Sequence, residues 1–288
     1  MIRKGIILAG GTGSRLRPST FSINKQLIPI YDKPLIYYPL SSLMLANIRE
    51  YLIIVNKGSI PLFKNLLGDG SRLGIKIFYK EQIKPAGIPE AFIIGEKFIG
   101  KNNIALILGD NFFYGKGFTG LLEKGKELKK GATIFLKDVK KPENYGVALI
   151  KNNKIIKIKE KPKKTISKTA ITGIYFFDNK VVEYSKKLKP SKRNETEIVD
   201  ILNIYLKNKS LRYQEIGRGS IWSDVGKVEE MHNISNYVSS IEKIQNLKIA
   251  CLEEISYRKK WISKKQIIKN IELYGKNHYS EYLLNLIK

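Results

Sequence analysis

The chain has 288 residues, a single cysteine, two histidines and a formal net charge of +26. One cysteine excludes an intrachain disulfide framework, and the isolated His232 and His278 are too few for a typical zinc site. No stretch approaches the ~20 apolar residues of a membrane span, and the first strand begins too early to leave room for a signal peptide, so we expect a soluble, cytoplasmic protein.

The positive charge raises the alternative of a nucleic-acid-binding protein. The lysines, however, are spread along the chain among many isoleucines and asparagines, as an A/T-rich coding bias would place them. The densest basic runs, 157–168 and 257–265, contain few aromatic residues. We therefore favour a general positive field that attracts anionic nucleotides and sugar phosphates. An affinity that falls steeply with salt would instead indicate nucleic acid as the ligand.

Strands and helices alternate through the first half of the chain, a pattern typical of a parallel α/β sheet. The chain is long enough to form one large domain or a core with an extension. The apolar patterns predict strands over 5–9, 51–55, 75–79 and 103–108 and helices over 35–46, 60–66 and 89–98.

The first strand ends in a glycine-rich turn that spans 10–15. Three glycines in four residues let the backbone turn sharply with its N–H groups pointing inward, which favours phosphate binding. Arg15 adds a planar charged fork and Lys25 a mobile positive charge. The segment therefore predicts a polyphosphate site, and a turn without a ligand remains the alternative from this segment alone.

Two better-known phosphate motifs do not fit this segment. The Rossmann pattern begins correctly at Gly11, but its last glycine is replaced by Leu16. A Walker A loop needs Ser or Thr after Gly-Lys, and none of the Gly-Lys pairs in the chain is followed by either residue. Both motifs are excluded.

From Gly131 onward short strands dominate. We predict strands over 133–136, 146–150, 155–159, 172–177 and 211–216, with a hairpin turn at 152–153. A helix is predicted over 191–206, with Asn194 as N-cap and Glu197 as its capping-box partner. The remainder should be mostly helical, ending in a helix over 279–287, and the extension after Met231 should dock on the core or on a neighbouring subunit.

Two aspartates come after predicted strands, and Asp110 follows its strand directly. Asp110 ends the run LILGD, and Asp224 lies in an Asp-x-Gly sequence. Ligands of open parallel sheets bind beyond the carboxyl ends of the strands, so Asp110 should face the glycine-rich turn. Two carboxylates that converge on a triphosphate suit Mg²⁺, although each alone could be an ordinary strand-end residue.

These segments occur together with several others in one order: GGxGxRL, KQLIPIYDKP, LGDN, YGV, EKP, TGIYFFD and WxDxG. In this order and spacing the chain resembles the sugar-1-phosphate nucleotidylyltransferases over nearly its whole length, and most closely their thymidylyltransferase branch. The resemblance implies a Rossmann-like α/β fold with a mixed, mainly parallel sheet flanked by helices and a C-terminal helical extension. We expect a core over 1–230, with a nucleotide-binding part at 1–130 and a sugar-binding part at 131–230, and an extension over 231–288.

The resemblance also implies a role for individual residues. The nucleoside triphosphate would be bound by Gly10, Gly11, Thr12, Gly13, Ser14, Arg15, Lys25, Gln26, Asp110 and Asn111, and the thymine edge by Gln82 and Gly87. The glucose pocket would be lined by Tyr145, Gly146, Glu160, Ile171 and Thr172, and the sugar phosphate would be bound by Lys161 and Arg193. Asp110 and Asp224 would hold Mg²⁺, and the catalytic set would be Arg15, Lys25, Asp110, Lys161 and Asp224.

The implied reaction is attack by the phosphate oxygen of glucose 1-phosphate on the α-phosphorus of dTTP, the first step of dTDP-rhamnose synthesis, in a homotetramer with a separate end-product site. The phosphate is already anionic at pH 7, so catalysis would be mainly positioning and charge neutralisation. An enzyme that uses UTP or another sugar phosphate and an inactive regulatory paralogue are the alternatives. Glu90 departs from the glutamine usual in the family and puts a carboxylate near the base.

Overall fold

The computed structural model describes residues 2–191 and 193–288. Its strands are β1 (Lys4–Ala9), β2 (Pro29–Ile30), β3 (Lys33–Pro34), β4 (Glu50–Asn56), β5 (Lys76–Gln82), β6 (Ile104–Leu108), β7 (Phe112–Gly115), β8 (Ala132–Asp138), β9 (Gly146–Lys151), β10 (Lys154–Glu160), β11 (Thr169–Phe177), β12 (Leu211–Glu215) and β13 (Ser220–Ser223). Its α-helices are α1 (Tyr37–Leu45), α2 (Ile60–Leu67), α3 (Glu90–Ile94), α4 (Glu96–Ile99), α5 (Phe118–Lys126), α6 (Lys180–Lys187), α7 (Ile198–Lys207), α8 (Val228–Gln245), α9 (Leu252–Arg258), α10 (Lys264–Tyr274) and α11 (His278–Leu286).

A nine-stranded mixed sheet forms the centre of the molecule. Its strand order is β10-β9-β11-β6-β1-β4-β5, and β8 and β12 extend from β11 as a branch. The strands from the first half, β6-β1-β4-β5, are parallel, whereas β11 runs antiparallel to β6, β8 and β9. The predicted fold class is confirmed. Because β1 and β6 are parallel neighbours, the residues that follow them emerge at the same edge of the sheet.

Alternating residues of the central strands build a core on each face of the sheet. Ile7 and Ile53 belong to the layer that includes α1, α2 and α9, and Ile6 and Leu52 to the layer that includes α3, α6 and α7. These strands are apolar on both faces, as strands covered by helices on both sides must be. This two-sided burial explains why the sequence shows them as continuous apolar runs.

The C-terminal helices pack on the core of the same chain. Ile234 and Val238 of α8 join Tyr38 and Phe112 in one buried cluster. A separate cluster within α9–α11 contains Cys251 and Leu283. The predicted division at 230/231 remains a prediction; α8 begins at Val228, just before it. No helix in the described part of the chain is long and apolar enough to cross a membrane.

Two helix predictions need correction. The helix predicted over 191–206 begins only at Ile198; Asn194 has a φ of 58° in the preceding turn, and Glu197 itself is at the N-cap position. The helix predicted over 89–98 is divided at Gly95, where a Cβ would lie 2.9 Å from the Ile6 Cδ1 of β1. Close packing on the sheet requires glycine at this position, and glycine weakens the interior of a helix.

Two helices were not predicted at all. α5 contains Gly120 and Gly125, which weaken the helical pattern. Gly125 is required there because a Cβ would lie 2.7 Å from the ring of Phe135. α6 was not predicted because four of its eight residues are charged and its apolar pattern is short.

Candidate active site

The glycine-rich turn that follows β1 is held in place by a side chain from the neighbouring strand. Asn56, the last residue of β4, accepts a hydrogen bond from Gly11 N at 2.7 Å and donates from Nδ2 to Gly11 O at 2.7 Å. Thr20 Oγ1 donates to Gly13 O at 2.8 Å. Asn56 was not among the predicted site residues, although a polar residue at the end of a buried apolar run is the same signal that identified Asp110.

Lys25 and Asp110 form an ion pair beside this turn. Lys25 Nζ lies 2.7 Å from Asp110 Oδ2, and the lysine side chain is only 8% exposed. The other carboxylate oxygen, Oδ1, accepts from Asn111 Nδ2 at 2.9 Å. Asn111 Oδ1 in turn accepts from Trp222 Nε1 at 2.6 Å and from Gly173 N at 3.1 Å. Asp110 is therefore held by two donors, one of them charged.

A two-stranded ribbon brings the second aspartate to the first. Phe112, the first residue of β7, pairs with Ser223, the last residue of β13. Asp110 and Asp224 therefore lie at the same end of the ribbon. Tyr145 OH donates to Asp224 Oδ1 at 3.4 Å. Burial and the negative charge of Asp110 raise the pKa of the Asp224 carboxyl, while Lys25 and Arg15 lower it.

The two carboxylates fit a divalent cation. Asp224 is partly desolvated beside another carboxylate, an arrangement that a cation would stabilise. The described residues contain no cluster of three or more His, Cys, Asp or Glu side chains suited to a metal ion. Two protein carboxylates, with phosphate and water for the remaining positions, match the ligand preference of Mg²⁺ rather than that of Zn²⁺.

The predicted site residues line three cavities that share walls. The first is lined by Gly10, Gly11, Thr12, Gly13, Ser14, Arg15, Lys25, Gln26, Asp110 and Gly226. The second shares Gly10 and Gly11 with it and adds, among others, Gln82, Gly87, Glu160, Lys161 and Arg193. The third shares Glu160 and Lys161 with the second and adds, among others, Asn111, Tyr145, Gly146, Ile171, Thr172, Trp222 and Asp224.

We refer to these as the phosphate, base and sugar cavities. Asn111, predicted on the nucleotide side, lies in the wall of the sugar cavity. Trp222 was not among the predicted site residues, although it directly precedes Ser223 and Asp224 in the motif.

Arg15 lies in the phosphate cavity beside Gly226, in the loop that follows Asp224. A Cβ on Gly226 would lie 2.9 Å from Arg15 Nη2, so only glycine lets the guanidinium come this close to the loop after Asp224. Glu230 Oε2 accepts from Gly226 N at 2.7 Å and from Lys227 N at 2.9 Å, which fixes that loop at the start of α8. The first turn of α8 thus positions the loop that carries Asp224.

Charged side chains lie at the junction of the base and sugar cavities. Arg193 donates to both carboxylate oxygens of Glu197, at 3.1 and 2.7 Å, and to Glu160 Oε1 at 3.4 Å. Burial and the neighbouring Glu197 raise the pKa of Glu160. Lys161 has a φ of 36°, an uncommon conformation for a lysine, and its N–H donates to Tyr145 O at 3.0 Å. The structure thus brings the predicted Glu160, Lys161 and Arg193 together.

The loop that carries Gly87 is held on both sides. Ala86 O accepts from Thr196 N at 2.8 Å and from Thr196 Oγ1 at 2.9 Å. Ala86 N donates to Glu90 Oε2 at 3.1 Å. Gly87 has a φ of +107°, and a Cβ there would lie 2.0 Å from Thr196 O. The position requires glycine for both its φ and its space.

Replacing Gly87 by alanine is expected to lower the free energy of unfolding by about 3 kcal/mol or more, because a strained φ and a backbone clash add together. Gly58→Ala is the matched control: its φ is also positive, +78°, but its Cβ would meet open space, so a cost of about 1 kcal/mol is expected. Urea denaturation measures both values. Equal losses for the two variants would show that the contact with Thr196 is not tight.

A larger groove of about 900 Å³ lies elsewhere, lined by residues at the amino ends of the parallel strands, among them Arg3, Glu50 and Lys76. In open α/β sheets the ligand site is at the carboxyl ends of the strands. The phosphate, base and sugar cavities lie at that end, so location and chemistry, rather than size, identify the candidate site.

Comparison with known proteins agrees with this geometry. The family model described as nucleotidyl transferase matches residues 4–240. A glucose-1-phosphate thymidylyltransferase of Neisseria meningitidis is 50% identical over 286 residues, which cover 99% of each chain. The enzyme of the same name from Mycobacterium tuberculosis is 41% identical over 286 residues, again covering 99% of each chain.

Solved structures of proteins with similar descriptions also superpose on this chain. A protein of Bacillus anthracis described as a glucose-1-phosphate thymidylyltransferase superposes with a TM-score of 0.76 at 42% identity, covering 81% of this chain and 94% of that one. A UDP-glucose pyrophosphorylase complexed with UDP-glucose superposes with a TM-score of 0.73 at 26% identity, covering 84% of this chain and 100% of that one.

Proposed function

Because this chain belongs to the nucleotidyl transferase family, we propose that it transfers the dTMP group of dTTP to glucose 1-phosphate, giving dTDP-glucose and pyrophosphate. The observation that carries the proposal is the continuity of the three cavities, which share Gly10 and Gly11 on one side and Glu160 and Lys161 on the other. A nucleotide and a sugar phosphate bound there would meet at Lys161. The relatives named glucose-1-phosphate thymidylyltransferase support the choice of dTTP and glucose.

Each cavity would bind one part of the substrates. The glycine-rich turn, Arg15 and Lys25 would bind the triphosphate, with Gln26 beside them; the side-chain oxygen of Gln26 is buried without a hydrogen-bond partner. Gln82 and Gly87 would bind the base. The glucose would lie among Tyr145, Gly146, Glu160, Ile171 and Thr172, and its phosphate near Lys161 and Arg193. Arg193 would exchange part of its pairing with Glu197 for the phosphate.

The reaction forms one P–O bond and breaks another. A phosphate oxygen of glucose 1-phosphate donates an electron pair to the α-phosphorus of dTTP, and the bond from that phosphorus to the β-phosphate oxygen breaks, releasing pyrophosphate with the electron pair. No proton has to be removed from the nucleophile. Arg15, Lys25 and Lys161 offset the repulsion between two anionic substrates and hold them in line.

Asp110 and Asp224 would hold the divalent cation that this class of enzyme uses, and we propose Mg²⁺. When bound, it would supply positive charge to the phosphate oxygens as negative charge develops on the leaving group. Treatment with EDTA is expected to reduce pyrophosphate release to the background rate, and excess Mg²⁺ to restore it. Full activity after exhaustive chelation would contradict the assignment of the two aspartates.

The nucleotide choice is tested by measuring pyrophosphate release with glucose 1-phosphate and dTTP, UTP, ATP, CTP or GTP in parallel. We expect the highest kcat/KM with dTTP. Faster turnover of UTP would favour the UTP-using alternative. Binding of dTTP without turnover of any nucleotide would identify a regulatory paralogue. Competition by DNA that falls steeply with salt would indicate a nucleic-acid ligand.

We also propose that the protein forms a homotetramer and supplies dTDP-glucose as the first step of dTDP-rhamnose synthesis, on the strength of the family resemblance alone. Light scattering during size-exclusion chromatography measures the oligomeric state. A mass of one chain, 32.9 kDa, at micromolar concentration would contradict it.

A further inference from the structure

Gln82 ends β5 in the wall of the base cavity, and its side chain is paired with a carboxylate. The amide nitrogen Nε2 donates to Glu90 Oε2 at 2.6 Å. The same carboxylate oxygen accepts from Ala86 N at 3.1 Å. Gln82 is only 4% exposed, so this pairing takes place in a largely desolvated setting. Glu90 therefore connects the side chain of Gln82 to the backbone of the loop that carries Gly87.

The chemistry of this contact determines the orientation of the Gln82 amide. An ionised carboxylate can only accept hydrogen bonds, and a glutamine amide has one donating and one accepting end. With Nε2 bound to Glu90, the oxygen Oε1 must point the other way. It faces Gly10, where a Cβ would lie 2.3 Å from it. Both Gln82 and Gly10 line the base cavity, so the bond to Glu90 turns the accepting end of the amide toward that wall of the cavity.

We propose that Glu90 is a positioning residue for base selection: it holds Gln82 Oε1 toward the base and so favours bases with a ring N–H over cytosine. This inference rests on the proposed function and deepens it. Thymine and uracil carry an N–H at N3, which could donate to Gln82 Oε1. Cytosine has a lone pair at N3, which would face the lone pairs of the oxygen. Through Gln82, Glu90 thus discriminates thymine and uracil from cytosine, but it does not discriminate thymine from uracil.

The effect should be large because Gln82 is buried and its amide is bound to Glu90. A site built to bind a particular hydrogen-bonding group rejects an analogue that lacks it by about 10⁴-fold in favourable cases. For the wild-type protein we expect kcat/KM for dTTP to exceed that for dCTP by about 10³-fold or more. Without Glu90 the Gln82 amide could rotate and present Nε2 to cytosine instead. The selectivity should then fall by about 10-fold or more.

The experiment compares Glu90→Met with Glu90→Gln. Methionine has a similar size but cannot accept as a carboxylate does, so the dTTP/dCTP ratio of kcat/KM should fall at least 10-fold. Glutamine can place its oxygen where Oε2 now lies, so its ratio should remain within about 3-fold of wild type. Glu96→Met is the matched control. Glu96 also begins a short helix, but it pairs with Lys186 at the surface, so its ratio should not change.

The outcomes separate this inference from the proposed function. A folded Glu90→Met protein that loses activity with dTTP and dCTP equally, leaving the ratio unchanged, would show a merely structural role and overturn the inference. If wild-type protein uses UTP rather than dTTP, the same test is made with UTP and CTP. If it turns over no nucleotide, the proposed function fails and this inference fails with it.

A second measurement avoids dependence on the variants. N3-methyl-dTTP lacks the N–H that the proposal requires but keeps the triphosphate and sugar. Wild-type protein should use it at least 100-fold less well than dTTP. Turnover of N3-methyl-dTTP equal to that of dTTP would overturn the inference even if Glu90→Met fails to fold.

Discussion

Replacing Asp110 by asparagine is expected to lower kcat by about 10³-fold with little change in fold. The substitution keeps the size of the side chain but removes its charge. It leaves Lys25, which is 8% exposed and 2.7 Å from the carboxylate, without its anionic partner. It also removes one of the two carboxylates proposed to hold the cation. The loss should appear in kcat, because the interactions removed act mainly on the charge that develops during transfer.

The measurement is the steady-state rate of pyrophosphate release, with the free energy of unfolding measured in parallel. Asp138→Asn is the matched control because Asp138 also ends a strand, β8, but its carboxylate accepts from Thr169 Oγ1 at 2.8 Å at the surface. Its activity should remain within 2-fold of wild type. An Asp110→Asn protein that retains more than a tenth of wild-type kcat would remove Asp110 from the catalytic set.

Replacing Arg15 by alanine should lower kcat/KM for dTTP by about 10²- to 10³-fold. Its guanidinium lies against Gly226 in the phosphate cavity and is the planar charged fork of the glycine-rich turn. The planar guanidinium of an arginine can donate hydrogen bonds to two phosphate oxygens at once, whereas the ammonium group of a lysine acts as a single point charge. Arg15→Lys should therefore recover only part of the loss.

Arg17 provides the matched control for Arg15. It lies two residues further along the same loop, is exposed, and its guanidinium lies 4.9 Å from the centre of the Phe21 ring. Arg17→Ala should keep kcat/KM within about 3-fold of wild type. Equal losses in Arg15→Ala and Arg17→Ala would mean that general positive charge, rather than the geometry of Arg15, attracts the nucleotide.

The local geometry of the candidate site could be predicted from the sequence because it depends on local rules. An apolar run followed by glycines indicates a strand and a phosphate-binding turn, and Asp110 was found because it ends such a run. The hairpin predicted at 152–153 is confirmed, since both Asn152 and Asn153 have positive φ values in the turn between β9 and β10. These signals lie within a few residues of the position that they predict.

The contacts that hold the site together could not be predicted, because their partners are distant in sequence. Asn56 holds Gly11 across 45 positions, and Trp222 holds Asn111 across 111. The error in α7 has the same origin: Glu197, taken for a capping partner inside the helix, is instead drawn to Arg193 and stands at the helix end. Local capping rules contain no information about the Glu160–Arg193–Glu197 cluster.

The role proposed for Glu90 depends on partners that the sequence alone does not reveal. From the sequence it was only an unexpected carboxylate near the base. Its contacts with Gln82 and Ala86 support the role in base selection that we propose for it.

The most direct test of the proposed reaction follows the α-phosphate of dTTP. Wild-type protein is incubated with glucose 1-phosphate, Mg²⁺ and dTTP labelled with ³²P at the α-position, and the products are separated. We expect the label to appear in dTDP-glucose, in an amount equal to the pyrophosphate released, and only when glucose 1-phosphate is present. Label in dTMP instead, or release of pyrophosphate without glucose 1-phosphate, would contradict transfer to the sugar phosphate.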